Sequence, residues 1–237
     1  MKNYLKIIRN DFINFNKYRI LHMTVIVSLV FALAMGFFPT IEPLLFVYIS
    51  IFVLPIIIHS ITLFIENEEN AVLPYSLTKN KLHEIILAKI SSSLLMQLIP
   101  LVFYLIVIVF VLNVNFSILL FILTYVVGVT LHIIIGFSIT ILAKNYQAMV
   151  IMYVGYIILF SFVAFINLMN LIPDSISYLF IFSPGYLVSV LFSNITFGYL
   201  YSSLLLIILS ASLLLIYTGL LLFLLVKPYY KKLLNEK

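Results

Sequence analysis

The stretch that decides the fold is Phe116 to Leu142, which reads FSILLFILTYVVGVTLHIIIGFSITIL. It contains no Asp, Glu, Lys or Arg, and it exceeds the roughly 20 apolar residues that an α-helix needs to cross a bilayer core. The rest of the chain is similar, because 65% of its 237 residues are hydrophobic and only 9% are charged. A soluble domain has roughly 45–50% apolar and about 25% charged residues, so a water-soluble globular fold is excluded.

Uncharged apolar blocks recur along the chain and predict an all-α polytopic membrane protein. We expect residues 1–237 to form a single transmembrane domain with six spans. The predicted spans are residues 20–38, 44–65, 90–112, 116–142, 148–172 and 204–226. Another apolar run, residues 178–192, is shorter and is interrupted by Ser183-Pro184-Gly185. It predicts an external re-entrant or interfacial segment between the fifth and sixth spans.

The basic residues predict the orientation of the spans, because Lys and Arg next to spans are retained on the cytoplasmic side. With six spans, all 13 Lys and Arg residues fall on one side, and the other side has only the acids Glu42 and Asp174. We therefore predict that both termini are cytoplasmic. The net charge of +5 then reflects membrane topology, and we expect no nucleic-acid partner.

Residues 2–18, before the first span, have the pattern of an amphipathic helix that lies in the inner membrane interface. The side chains expected on its apolar face are Tyr4, Leu5, Ile8, Phe12 and Phe15. Those expected on its polar face are Lys2, Lys6, Arg9, Asn10 and Lys17.

Motifs for catalysis are missing from the sequence. There is no Cys, no HExxH metal motif and no GxxxxGK phosphate loop. No Asp, Glu, Lys or Arg falls within a predicted span, which weakens the hypothesis of an ion-coupled transporter. We expect a chain that is not an enzyme and that has no metal site or cofactor of its own.

Polar and small residues inside the spans are the candidates for packing or for a substrate path. A four-residue repeat in the fourth span predicts a helix-packing seam of Thr124, Gly128, His132, Gly136 and Thr140. His132 is either a substrate or proton contact or a packing residue, and we favour packing. His59 follows Pro55 by one turn, and Gln97 precedes Pro100. Both are candidate substrate-path residues, with packing beside a kinked helix as the alternative.

The loop 66–89 is the longest polar connection between spans. It starts with acidic residues, continues through the apolar patch 71–77 and ends in basic residues at the third span. A simple connector needs few residues and no apolar patch. Two interpretations remain, a solvated connector and a docking surface for a soluble partner, and we favour the second.

This loop resembles the first cytoplasmic loop of type-2 ABC exporter permeases, and within them the fluoroquinolone-type drug export permeases. Their pattern runs from acidic residues through Leu and Ser/Thr to a basic residue and a final Ala/Gly-Lys. The matching positions are Glu66, Glu69, Val72, Thr78, Lys81 and Ala88-Lys89. The chain departs from the pattern at Asn70-Ala71, where Gly-Thr is usual, and at Lys79, where Pro is usual.

The resemblance implies a non-catalytic permease subunit that moves an amphiphilic drug, peptide or lipid-like substrate out across a bacterial cytoplasmic membrane. It implies a second permease copy, identical or related, and a separate ABC ATPase subunit that holds ATP and magnesium. The expected ATPase-coupling residues are Glu66, Glu69, Val72, Leu73, Thr78, Lys81 and Lys89. The alternative function is an energy-independent immunity or sensor-partner protein that binds a peptide or drug without transporting it.

Overall fold

A computed structural model describes residues 2–38, 43–68, 82–113, 116–169, 171–196 and 204–235. All regular elements within these ranges are helical, which confirms the predicted all-α fold for this part of the chain. The helices are α1 Lys2–Lys17, α2 Ile20–Phe37, α3 Pro43–Glu68, α4 Leu82–Ile106, α5 Ile118–Leu142, α6 Tyr146–Tyr156 with Phe162–Leu168, α7 Asp174–Ser177, α8 Pro184–Leu191, α9 Leu204–Leu221 and α10 Lys227–Asn235.

Several helices contain or end in π-helical turns. These turns are Val107–Val111 after α4, Ile157–Ser161 inside α6, Phe192–Thr196 after α8 and Leu222–Val226 between α9 and α10. A 3₁₀ turn, Tyr178–Phe180, follows α7. The turn Leu222–Val226 makes α9 and α10 one continuous helical rod.

Six helices of the described chain are long and apolar enough to cross a membrane, as the sequence predicts. They are α2, α3, α4, α5, α6 and α9. The largest differences from the expected boundaries are at α4, which begins at Leu82, and at the α9–α10 rod, which continues to Asn235. The charges of Lys89 and Lys227 suggested span ends in the sequence, but a helical backbone satisfies its own hydrogen bonds and continues past a charge.

The centre of the bundle consists of α3 and α5. In their apolar windows 67% and 56% of the residues are buried, compared with 17% for both α6 and the α9 rod. The backbones of α3 and α5 approach closely, because a Cβ at Gly136 would lie 3.1 Å from the carbonyl oxygen of Ile56. The outer helices instead expose apolar side chains such as Ile151 and Leu215, which suits contact with lipid.

Helix α8 is a short helix inside the bundle. Ser183 caps its first turn, with the Ser183 hydroxyl accepting from the Tyr186 amide at 3.2 Å, and Pro184 occupies the first helical position. Every residue from Gly185 to Leu191 is buried. Such complete burial differs from the one-sided exposure of a helix that lies along a membrane surface.

Helix α1 packs on α4, where the Tyr4 hydroxyl donates to Ser91 Oγ at 2.6 Å. Its buried stripe is Ile7, Asp11 and Phe15, whereas Leu5 is 57% exposed. The expected apolar face therefore differs from the face that the protein covers. The reason is that the contact with α4, in addition to amphipathicity, decides which side of α1 is buried.

Candidate functional site

Three charged side chains from three helices meet in the interior, close to the end of α3 and the start of α4. Lys89 of α4 places its Nζ 2.6 Å from Oδ1 of Asp11 on α1 and 2.5 Å from Oε1 of Glu66 on α3. Lys89, Asp11 and Glu66 are only 4%, 1% and 2% exposed. We call these three residues the ion cluster.

Neighbouring polar groups complete the ion cluster. The Ser92 hydroxyl donates to Oδ2 of Asp11 at 2.6 Å, so both oxygens of that carboxylate are engaged. The buried Tyr230 of α10 lies within electrostatic range of Asp11, Glu66 and Lys89. Three helices, α1, α3 and α4, therefore converge on one buried ammonium group, and the Tyr230 hydroxyl has no hydrogen-bond partner in the described chain.

The position of each charge within its helix explains how the ion cluster forms. Asp11 lies four residues from both Ile7 and Phe15, so it shares their buried stripe on α1. Glu66 is in the last turn of α3, and Lys89 lies two turns into α4. Removing one partner of a buried ion pair leaves an uncompensated charge, which typically costs about 3–5 kcal/mol.

The ion cluster links the two ends of the long connection between α3 and α4. Glu66 and Lys89, which the sequence suggested as exposed contact residues of the loop 66–89, lie in helices and are buried against Asp11. Their side chains are thus engaged inside the chain. The remaining expected coupling residues, Glu69, Val72, Leu73, Thr78 and Lys81, lie outside the described residues.

A polar stripe continues from the ion cluster along α4. Lys89, Ser93 and Gln97 recur every four residues and are buried. Ser93 Oγ lies 2.7 Å from Nδ1 of His59 on α3, and the Tyr125 hydroxyl of α5 donates to the backbone oxygen of Gln97 at 3.1 Å. The structure therefore brings the candidate path residues His59 and Gln97 to neighbouring turns in the interior.

Two of these polar side chains have unused hydrogen-bonding capacity. Within the described chain, Nε2 of His59 and both side-chain amide atoms of Gln97 are buried without a hydrogen-bond partner. Buried polar groups in proteins are normally hydrogen-bonded, so these atoms are positioned to bind water or a polar group of a solute.

The repeat in α5 lies against α3, α6 and α8. All five of its residues are buried: Thr124, Gly128, His132, Gly136 and Thr140. His132 places Nδ1 2.6 Å from the Gly128 oxygen and Nε2 3.1 Å from the Tyr156 hydroxyl. Its ring centroid is 4.0 Å from that of Phe52. Since both ring nitrogens are engaged within the chain, the geometry favours a packing role for His132.

In the described ranges, no group of three or more His, Asp or Glu residues is arranged to hold a metal ion. Asp11 is the one residue of the ion cluster that the sequence analysis did not single out. The available signal was a lone acid between two apolar residues at four-residue spacing, Ile7 and Phe15.

Comparisons with known proteins identify no relative of this chain. No protein-family model, curated protein or solved structure matches the chain. The contacts of the ion cluster are therefore the basis on which a function can be proposed.

Proposed function

We propose that the chain is the membrane-spanning permease subunit of an ABC exporter, driven by a separate ATPase subunit. The observation that carries the proposal is the ion cluster, which joins both ends of the connection 69–81 to α1. A connection with firmly joined ends can transmit a push from a soluble partner into the bundle. A flexible connector would absorb the same push.

The contacts of α3 determine how a displacement of the connection 69–81 reaches the other helices. Because Lys89 is bonded to both Glu66 and Asp11, displacing the connection moves α1, α3 and α4 together, as separating the charges costs several kcal/mol. Helix α3 is in close contact with α5 at Ile56 and Gly136. Close packing transmits strain efficiently, so α5 follows α3.

The proposed orientation places both termini and the connection 69–81 in the cytoplasm of a bacterium. It is supported by the clustering of all 13 basic residues on one side of six spans. Helix α1 then lies at the inner interface, with the exposed Leu5 and Ile13 available to lipid. The short buried α8 enters the bundle from the external side as a re-entrant segment.

The orientation can be tested with single cysteines, because the natural chain has none. In intact cells, an impermeant thiol reagent should label Ser117→Cys, which is exposed beyond the other end of the spans. It should label Lys144→Cys and Lys231→Cys only after permeabilisation. Labelling of Lys231→Cys in intact cells would contradict the six-span topology.

The proposed transport unit contains two permease copies, identical or related, and moves an amphiphilic drug, peptide or lipid-like substrate outward. The polar stripe of α4, with unpartnered polar atoms on His59 and Gln97 among apolar neighbours in the described interior, suits a substrate that is partly polar and partly apolar. ATP and magnesium belong to the ATPase subunit, and the permease itself is not an enzyme.

The decisive experiment changes the connection and measures its partner. We expect Glu69→Lys and Leu73→Asp to retain normal membrane abundance but to abolish ATPase co-purification, substrate-stimulated ATP hydrolysis and export. Truncating or reversing a central interface contact typically costs about 2–5 kcal/mol. Lys144→Glu, in the short turn between α5 and α6, is the matched control and should behave as wild type.

Two results would overturn the proposal. Wild-type ATP hydrolysis and export in both connection variants would show that residues 69–81 are only a connector. Protection of cells by this chain without any ATPase subunit would instead support the energy-independent binding protein.

A further inference from the structure

An apolar groove opens on the outside of the bundle, between the start of α4 and the junction of α9 with α10. Its cavity volume is about 330 Å³, and its walls include Ile86, Leu87, Leu222 and Phe223. His83 and Lys227 are its polar residues. We call it the basic groove.

The apolar walls of the basic groove face outward. Leu87 is 52% exposed and Phe223 is 60% exposed. In a chain with six membrane-spanning helices, such a surface contacts lipid acyl chains or another apolar helix. The π-helical turn Leu222–Val226 forms part of the wall, and turns of this kind often occur at functional sites.

The charge at one end of the groove indicates which occupant fits. Lys227 Nζ lies 5.1 Å above the ring centroid of Phe223, and the exposed Lys231 follows one turn later on the same side of α10. Neither lysine has an acidic partner among the residues that the structure describes. Glu84, next to His83 on α4, is engaged in an interaction of its own.

A second groove serves as an internal comparison. It lies between α3 and α6, has a volume of about 230 Å³ and is lined by residues such as Ile57, Ile61 and Val150. Its lining includes no charged residue. It can hold an acyl chain, but it offers no cation for a headgroup.

We propose that the basic groove is a binding site for an anionic phospholipid, with an acyl chain along Leu87 and Phe223 and the phosphate headgroup on Lys227 and Lys231. An apolar helix of another protein would fill the walls but would leave both lysines without a counter-ion. Basic pockets between transmembrane helices bind anionic headgroups for this reason. The inference does not depend on ATP-driven export.

The test uses the absence of tryptophan from the natural chain. Leu87→Trp introduces one fluorophore into the basic groove, and Val150→Trp introduces one into the second groove as the matched control. Each full-length variant is reconstituted in phosphatidylcholine vesicles that contain a minor fraction of acyl-brominated phosphatidylglycerol or acyl-brominated phosphatidylcholine. Bromine quenches tryptophan fluorescence only at close range.

We expect brominated phosphatidylglycerol to quench Leu87→Trp more strongly than brominated phosphatidylcholine, and both lipids to quench Val150→Trp equally. Adding Lys227→Gln or Lys231→Gln should lower the lipid preference roughly fivefold per lysine. Lys144→Gln, an exposed lysine outside the groove, should leave it unchanged. Phe223→Trp provides a second probe position in case Leu87→Trp folds poorly.

Equal quenching of Leu87→Trp and Phe223→Trp by the two lipids would overturn the proposal. So would a preference that survives removal of both lysines, because the headgroup would then be recognised elsewhere. Neither outcome depends on an ATPase, so a failed lipid site and a failed exporter hypothesis can be told apart.

Discussion

Helix α3 makes two contacts of opposite kinds, one near its end and one at mid-length. Near its end, Glu66 depends on a positive charge that must be present, the ammonium group of Lys89. At mid-length, the backbone at Ile56 packs closely against α5, and this is possible only because Gly136 has no side chain. The first contact is sensitive to the loss of charge and the second to the gain of volume, so different substitutions separate them.

The largest effect is expected from Lys89→Met. The substitution leaves Asp11 and Glu66 as two buried carboxylates without a cation, and we expect a loss of about 3–5 kcal/mol of stability. Thermal denaturation in detergent, followed by circular dichroism, measures the loss. In the triple variant Lys89→Met, Asp11→Leu and Glu66→Met, most of the stability should return. An equal loss in both variants would show that the ion cluster does not act through its charge.

A smaller loss of roughly 1–3 kcal/mol is expected from Gly136→Leu, because a side chain there pushes on the α3 backbone. Gly155→Leu on α6 is the matched control, since no described part of the chain outside its own helical turn lies within 4 Å of a Cβ at Gly155. Denaturation of both proteins under the same conditions compares the two positions. A similar loss in both variants would mean that leucine itself, rather than the α3 contact, causes the effect.

His132→Asn should be tolerated. Asparagine keeps hydrogen bonding but cannot carry a proton, and the lost contact with Tyr156 is worth about 1 kcal/mol. Under the proposed exporter function, we expect export at near wild-type level with slightly lower thermal stability. Loss of export with normal abundance would assign His132 to the substrate or proton path instead of to packing.

The smallest effect is expected from alanine at Gly155 and Gly219, the two described glycines with free space around a Cβ. Among the described residues, a Cβ at Gly155 or Gly219 has no atom of another helix or loop within 4 Å, and alanine favours a helix by up to about 1 kcal/mol. Unfolding should be unchanged or slightly more difficult. Destabilisation in the proposed two-copy assembly but not in the isolated chain would identify a contact with the proposed second copy.

The sequence predicted the six spans because apolar blocks of sufficient length have few alternatives in a bilayer. It also predicted the four-residue repeat around Gly136 as a packing surface, since this pattern lies within one helix. Local periodicity was sufficient for both.

The ion cluster could not be predicted in the same way. Asp11 and Lys89 are separated by 78 positions, and no local pattern shows which of several acids reaches a given lysine. Charged residues also set the predicted ends of the spans. Lys89 was therefore predicted in the loop, although it lies in α4. Burial of Asp11 and Glu66 depends on the packing of α1 and α3 against α4, and only the assembled helices reveal it.

The π-helical turn inside α6 changes how the helix responds to a single inserted or deleted residue. Before this turn, Tyr156 reaches His132 on α5, and after it Asn167 donates to Ser189 Oγ on α8 at 2.8 Å. Deleting one residue from Phe162–Phe165, in the regular part of α6 after the turn, would rotate everything after it by about 100°. Asn167 would then turn away from Ser189, whereas a deletion within Ile157–Ser161 is absorbed when the wide turn becomes regular α-helix.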